Sequence, residues 1–329
     1  IISRFASVFN QTYTRVRDLQ KAEEQAREAQ IELSLERIRA QVTAMKESSD
    51  LLDIVVTMRN EFVALGHEAH YFWHMRYLPD KYEKAMTSGD GTRIGMVMEL
   101  PRHIHGEIKL LADWEKSDEP TVVYAMDVDA ALAYVDKMIN LGDFKLVDPN
   151  APTHDDIRHI GGLTFVMART THGEIGYSLP GIVTNPPAED LNTIVRFSGV
   201  FDLAYKRFED LKGAERQQRE VQIELALERT RTQSMLMKHS SELNDISKTF
   251  HEQLLGLGID SEFSFVWLPD EDKQEHMFWA TWVNEINGTT QYQSKSVKYP
   301  LNKTEPGTAK CYADWESSQP VHETFVPPG

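Results

Sequence analysis

The sequence predicts an α+β fold in tandem copies: a mostly antiparallel sheet flanked by helices, with long helices joining one copy to the next. Three observations predict it. The chain states one pattern twice, 192 residues apart. Alternating apolar and polar residues mark strands inside each statement. Stretches rich in Glu, Gln, Arg, Leu and Ala, all good helix formers, separate the strand-bearing regions.

The first statement runs Arg4-Phe5-Ala6-Ser7-Val8-Phe9, then QIELSLERIRAQ from Gln30, then Met45-Lys46-Glu47-Ser48-Ser49, and closes at Leu65-Gly66. The second runs Arg196-Phe197-Ser198-Gly199-Val200-Phe201, then QIELALERTRTQ from Gln222, then Met237-Lys238-His239-Ser240-Ser241, and closes at Leu257-Gly258. A repeat this long exceeds the ~20–50 residues of a solenoid unit. It is a domain plus its connecting helix, and a length of 329 residues accommodates about two such domains. The expected organisation is a connecting helix over 1–46 that ends a preceding module, a first module over 47–187, a second connecting helix over 188–238, and an incomplete second module over 239–329. The chain thus reads as a fragment of a longer protein.

Each element has its own signal. Ser48-Ser49-Asp50-Leu51 caps and restarts a helix, which carries Leu51, Leu52, Ile54, Val55, Met58 and Phe62 at core-facing spacing and stops at Gly66. From His70 to Tyr77 the run HYFWHMRY alternates, and the second copy repeats this with Phe263, Phe265 and Trp267. Two further strands flank the Ser88-Gly89-Asp90-Gly91 turn, whose counterpart is an Asn287-Gly288 hairpin signal. A helix follows over Ile108 to Lys116, repeated over Ala309 to Ser317, each with Ala-Asp-Trp-Glu; Trp114 and Trp315 are expected to be core. Then come a strand from Thr121 to Tyr124, an amphipathic helix from Asp129 to Leu141, and a hairpin of Leu163–Ala168 and Glu174–Leu179 about His172-Gly173. Pro186-Pro187-Ala188-Glu189-Asp190 opens a helix that continues to about Met237. At ~50 residues it is ~75 Å long and is expected to project between modules.

The long helices carry a thin heptad seam. Ala204, Leu211, Gln218, Leu225 and Thr232 recur every seven residues, with Ala214, Val221 and Glu228 three further on. The first copy gives Thr12, Leu19, Ala26, Leu33 and Ala40, with Ala22, Ala29 and Glu36. Two readings stand: a charged helix lying on its own domain, or a weak parallel coiled coil whose register shifts at low cost.

Lys+Arg 35 against Asp+Glu 51 gives a net charge of −16. So acidic a surface repels phosphate backbones and anionic lipid, which argues against nucleic acid and membrane surfaces as partners. Cys311 is the only cysteine, which fits a reducing cytoplasm. No apolar run reaches the ~18 residues of a membrane span.

The order of elements resembles a GAF domain, in which the first and last helices pack on one sheet face while the other face and its loops form a ligand pocket. The run QIELALERTRTQSMLM resembles the linkers repeated between GAF-like domains of large bacterial sensor histidine kinases. This resemblance implies a cytoplasmic sensory array of a two-component system, a homodimer through its long helices, with a possible small-molecule ligand and its catalytic output elsewhere in the parent chain. The string used by cyclic-nucleotide-binding GAF domains is absent. The bilin-attaching type is not matched either: Cys311 is followed by Tyr312 rather than His, and the first copy holds Leu110 and Leu111 nearby.

Histidines are the residues that suggest a site. His67, His70 and His74 cluster about the first strand, where His70, Phe72, His74 and Arg76 share one face by alternation. His103 and His105, two residues apart, share a face by the same alternation. These six, His70, Phe72, His74, Arg76, His103 and His105, are the candidate ligand-binding residues. Neutral imidazoles also suit a metal, but the second copy has Ile259, Glu262 and Val266 at the positions of His67, His70 and His74, and no metal site is assigned. Ordinary surface or hydrogen-bonded histidines remain the third reading. The residues specify neither a cofactor nor a ligand's identity.

Enzymatic signatures are missing: no glycine-rich phosphate loop, no Gly-x-Ser-x-Gly elbow, and no proline beyond His239 or His251 to make a kinase phosphoacceptor box. The sequence reads as a non-catalytic sensory fragment. Two rivals are a scaffold that binds nothing small, and the regulatory arm of a nucleotide cyclase or phosphatase.

Overall fold

The computed structural model describes residues 2–286, 289–304 and 306–317, so the Asn287-Gly288 signal lies outside the described residues. They fall into two compact units, one reaching to Glu215 and the other starting at Arg216.

The first unit comprises α1 (Ile2–Ala44), a 3-10 turn at Ser48–Asp50, α2 (Leu51–Ala64), β1 (Phe72–Tyr77), β2 (Lys81–Thr87), β3 (Ile94–Pro101), α3 (His103–Gly106), α4 (Lys109–Glu115), β4 (Thr121–Met126), α5 (Val128–Leu141), β5 (Asp143–Leu146), α6 (His154–Ile160), β6 (Leu163–Thr170), β7 (Gly173–Pro180) and the start of α7 (Ala188–Leu236). Its seven strands form one antiparallel sheet in the order β4-β6-β7-β1-β2-β3-β5. This is the α+β class that the sequence predicts. β5 and α6 go beyond the expected elements: four residues are too few to show alternation, and α6 is two turns held by a Thr153/Asp156 capping box and Gly161 at φ +80°.

Both sheet faces are covered. On one, α2, the second half of α1 and the first part of α7 build a core with Ile38, Ile54, Phe62, Phe72, Tyr177 and Phe197. On the other, α3 to α6 close a second core over Trp73, Met75, Tyr82, Met98 and Met167. Strand alternation divides β6 between them: Phe165 and Met167 go to the second core, Val166 and Ala168 to the first.

Polar contacts fasten α1 to α7. Arg196 of α7 pairs with Glu28 and Glu32 of α1, and Arg27 pairs with Glu189. His67 Nδ1 lies 2.8 Å from Asp190 Oδ1, a buried structural contact. The break after α1 is anchored too, since Ser48 donates from its backbone N and its Oγ to Glu215, both at 2.7 Å. The heptad seam is therefore divided. Ala204 and Leu211 face the first unit's own core, while Leu33, Val221 and Leu225 are exposed.

The second unit carries the rest of α7, a 3-10 turn at Ser240–Glu242, α8 (Leu243–Gly256), β8 (Phe263–Asp270), β9 (Glu275–Ile286), β10 (Thr289–Pro300) and α9 (Pro306–Glu316). The 3-10 turn and α8 have the lengths of their counterparts in the first unit and lie 192 residues from them. Gly66 and Gly258 both follow the helix end in the left-handed region, at φ +86° and +74°. The antiparallel order β10-β9-β8 repeats β3-β2-β1. The copies differ at the tryptophan. Trp114 is buried and its Nε1 donates to the Glu119 carbonyl at 2.9 Å, as expected of core, whereas Trp315 is 62% exposed.

Candidate functional site

The first unit holds a cavity of about 290 Å³ between the sheet and helices α5 and α6. Its floor is Met86 of β2, Met96 of β3, Phe165 of β6 and the end of β7; its walls are Val135 and Met138 of α5 and Ile157 of α6. Local sequence rules place these walls. Asp127 caps α5 by accepting from Ala130 N at 2.9 Å, which sets Ala131, Tyr134, Val135 and Met138 on one helical stripe facing the sheet. The loop from Val147 to Pro152 completes the wall and is held by Asp148, which is buried and accepts from Arg93 Nη2 at 3.0 Å and from Asn150 N at 3.2 Å.

Few polar side chains reach this apolar space: His70, Tyr71 and Ser178. Ser178 Oγ already accepts from Tyr71 N at 3.1 Å. The Tyr71 hydroxyl has no hydrogen-bond partner among the described residues. Burial pushes its ionisation up to about 12, helped by the carboxylates of Asp148, Asp156 and Asp90. It is thus a protonated donor at neutral pH. Its ring lies against the β2–β3 turn, where a Cβ added to Gly89 would stand 3.2 Å from the hydroxyl oxygen.

That turn is bound to the opposite face of the sheet by one side chain. Arg59 of α2 donates Nε to the His70 carbonyl at 2.9 Å, Nη2 to the Gly89 carbonyl at 2.8 Å and Nη1 to the Asp90 carbonyl at 3.2 Å. Gly91 permits this approach: it has φ +72°, and a Cβ there would fall 1.9 Å from the guanidinium.

The fold does not gather the six sequence-chosen residues into one site. His70 alone borders the cavity, exposed at its rim, 3.6 Å from Glu68. Phe72 lies in the helix-side core. His74 and Arg76 come together in a separate cleft of about 310 Å³ beneath α7, where the His74 ring is 5.3 Å from that of Phe201 and Arg76 sits over Tyr205. The face of β1 expected to line a pocket is thus packed mainly against helices, and the face carrying Tyr71 and Trp73 looks toward α5 and α6. β1 lies in mid-sheet with both faces covered, so its alternation cannot say which face has the cavity. His103 is exposed while His105 is buried, with Nε2 3.4 Å from the Tyr134 hydroxyl, because both lie on α3, where residues two apart diverge.

Sequence reasoning misses Met86, Met96 and the α6 residues because apolar residues lining a cavity have the same pattern as residues filling a core. It also misses Lys84. This lysine is buried with its Nζ 4.2 Å from the Trp73 ring centre, and burial lowers its pKa to about 8, partly opposed by Glu174. Among the described residues no group of three His, Cys, Asp or Glu side chains is placed to hold a metal ion. No described helix is long and apolar enough to cross a membrane.

His74 supplies a pH prediction. Burial, with Arg76 adding repulsion, lowers its pKa from 6.5 to about 4. Between those values the unfolded chain binds the proton that the fold excludes, so stability falls as the pH drops from 6.5 toward 4. His74→Gln is expected to flatten this loss by on the order of 2–3 kcal/mol, checked by urea midpoints at pH 7 and 4.5. An undiminished acid loss in the variant counts against it.

No family model matches the chain, and no curated protein matches it. Among solved structures, it is similar to the bacteriophytochrome RpBphP3 of the photosynthetic bacterium R. palustris, at 10% identity over 89% of this chain and 54% of that one, with a TM-score of 0.41. It is also similar to the phytochrome photosensory core module of Stigmatella aurantiaca, at 10% identity over 90% and 53% of the two chains, with a TM-score of 0.39. The chain spans about half the length of each.

Proposed function

We propose that this chain is a cytoplasmic sensory fragment of a bacterial signal-transduction protein, a sensor histidine kinase, whose first module binds a small uncharged apolar molecule. The cavity under α5 and α6 carries this reading. It lies on the sheet face opposite α1, α2 and α7, the division expected of a GAF-like module. Its volume approaches the lower end of ~300–1,000 Å³ typical of ligand pockets.

The lining narrows the ligand class. A buried charge without a partner is strongly disfavoured, and among the described residues no lysine, arginine or carboxylate lines the cavity. The carboxylates around Tyr71 add repulsion against an anion. The favoured ligand is an apolar body with one acceptor, such as a carbonyl oxygen, taking the Tyr71 hydrogen bond.

Occupancy would reach the helices as a population shift, in proportion to the ligand's differential affinity for two helix arrangements. Leu33 of α1 and Leu225 of α7 are exposed at matching seam positions, Val221 is exposed on the same seam, and they support a parallel homodimer.

The test is fluorescence of N-phenyl-1-naphthylamine with the purified protein, followed by displacement with 2-decanone, decanoate or decylammonium. The ketone is expected to displace the probe and the two ions are not. Tyr71→Phe is expected to weaken the ketone ~3–10-fold, the value of one hydrogen bond. Native mass spectrometry then reads assembly and retained mass together. A bare monomer that ignores the probe would transfer the weight to a scaffold.

A further inference from the structure

We infer that the first half of α1 is the closing helix of another module of the same kind as residues 47–187, and that Phe9, Tyr13, Val16 and Leu19 are the surface on which that module packs. The internal repeat carries this. At an offset of 192, these four correspond to Phe201, Tyr205, Phe208 and Leu211 of α7, and the matching runs Arg4–Phe9 and Arg196–Phe201 fix the register.

In α7 this surface is in use. Phe201 and Tyr205 are 3% and 2% exposed, and Phe208 and Leu211 pack on the same core. The Tyr205 ring lies 4.3 Å from that of His172 in the β6–β7 turn. Two polar contacts accompany it: Asp202 Oδ1 accepts from Thr171 N at 2.7 Å, and Arg207 donates to the Met45 carbonyl at 3.1 Å. Their counterparts in α1 are Asn10, still an acceptor, and Arg15.

In α1 the same side chains are bare. Phe9 is 79% and Tyr13 61% exposed, with Val16 and Leu19 each nearly half exposed. The second half of α1 is different: Ile31, Leu35, Ile38 and Val42 are buried on the module that follows. One helix thus closes one module and opens the next, as the first part of α7 closes residues 47–187.

The seven-stranded unit of a second copy is a poor occupant. The helix-side face of its seven-stranded sheet is already covered by α2 and α7. The surface needs an additional sheet, and the repeat gives its place: the module covered by α7 precedes α7, so the one covered by α1 precedes α1.

Hydrogen exchange tests this on the 329-residue chain and on the natural chain lengthened toward its amino terminus by one module. In the shorter protein, Phe9–Leu19 amides are expected to exchange at least ~100-fold faster than Phe201–Leu211. In the longer one they are expected to match them. Phe9→Asp in the longer chain is expected to lower the melting temperature of the added module and to leave residues 47–187 unchanged, with Phe201→Asp doing the reverse. Three results overturn the inference: a natural chain without such a segment, exchange at Phe9–Leu19 that the added module does not slow, or concentration-dependent protection of Phe9–Leu19 in the shorter protein by self-association. None of these bears on what the cavity binds.

Discussion

Phe62→Ala is expected to destabilise the first module by about 3–5 kcal/mol, the range for removing a fully buried phenylalanine. Phe62 is 0% exposed and stands where α2, the sheet and α7 meet. Its ring lies 4.8 Å from that of Tyr177 in β7, 5.8 Å from that of Phe197 in α7 and 4.5 Å from that of His67. A cavity here removes partners from three elements at once, and none can collapse into it without leaving another. Phe62→Leu keeps most of the volume and should lose far less. Urea unfolding followed by hydrogen exchange at β1 and β7 reads the effect in this module alone. A loss below about 1 kcal/mol, the lower edge of core-truncation costs, would show that α7 is held by its polar contacts rather than by this aromatic cluster.

Met96→Trp is expected to abolish binding in the cavity, weakening the naphthylamine probe ~50-fold or more, since the added ring removes most of the buried contact area. Met96 forms the floor with Met86, its cross-strand neighbour in β2 and β3. An indole there occupies space that a ligand needs, and the group fills an existing void, so the overpacking penalty stays near ~1–3 kcal/mol. Probe titration checks the first claim and thermal melting the second. A folded variant that binds the probe unchanged would place the binding site elsewhere.

Most of the fold is legible in the sequence. The long helices, the first three strands, the β6–β7 hairpin and the order of elements follow from periodicity and caps, because those signals are local. The repeat then makes each copy a check on the other. What is not legible depends on neighbours. The alternation of β1 names two faces but not which one α7 covers, so Phe72 and His74, expected to line a pocket, lie under helices. His103 and His105 look alike in a strand and unlike on a helix. A cavity has no sequence signature when its lining is methionine, valine and isoleucine, since the same residues with slightly different volumes would fill the space. Tyr71 is visible as an aromatic on the regular face of the strand, and only the tertiary fold separates its hydroxyl from a partner.

The three hydrogen bonds of Arg59 have a consequence for how the module is read from outside. They tie α2 to the carbonyls of His70, Gly89 and Asp90, the backbone beside Tyr71. If a bound molecule shifts that backbone, the work is shared between rim and helix, and thermodynamics makes the exchange symmetrical. Whatever holds the helices in one arrangement alters the ligand's affinity by the same factor by which the ligand alters the arrangement. Binding affinity measured on the isolated first module is therefore a property of free helices. In a longer assembly the same cavity is expected to report a different constant, and the ratio of the two measures how strongly the neighbours pull.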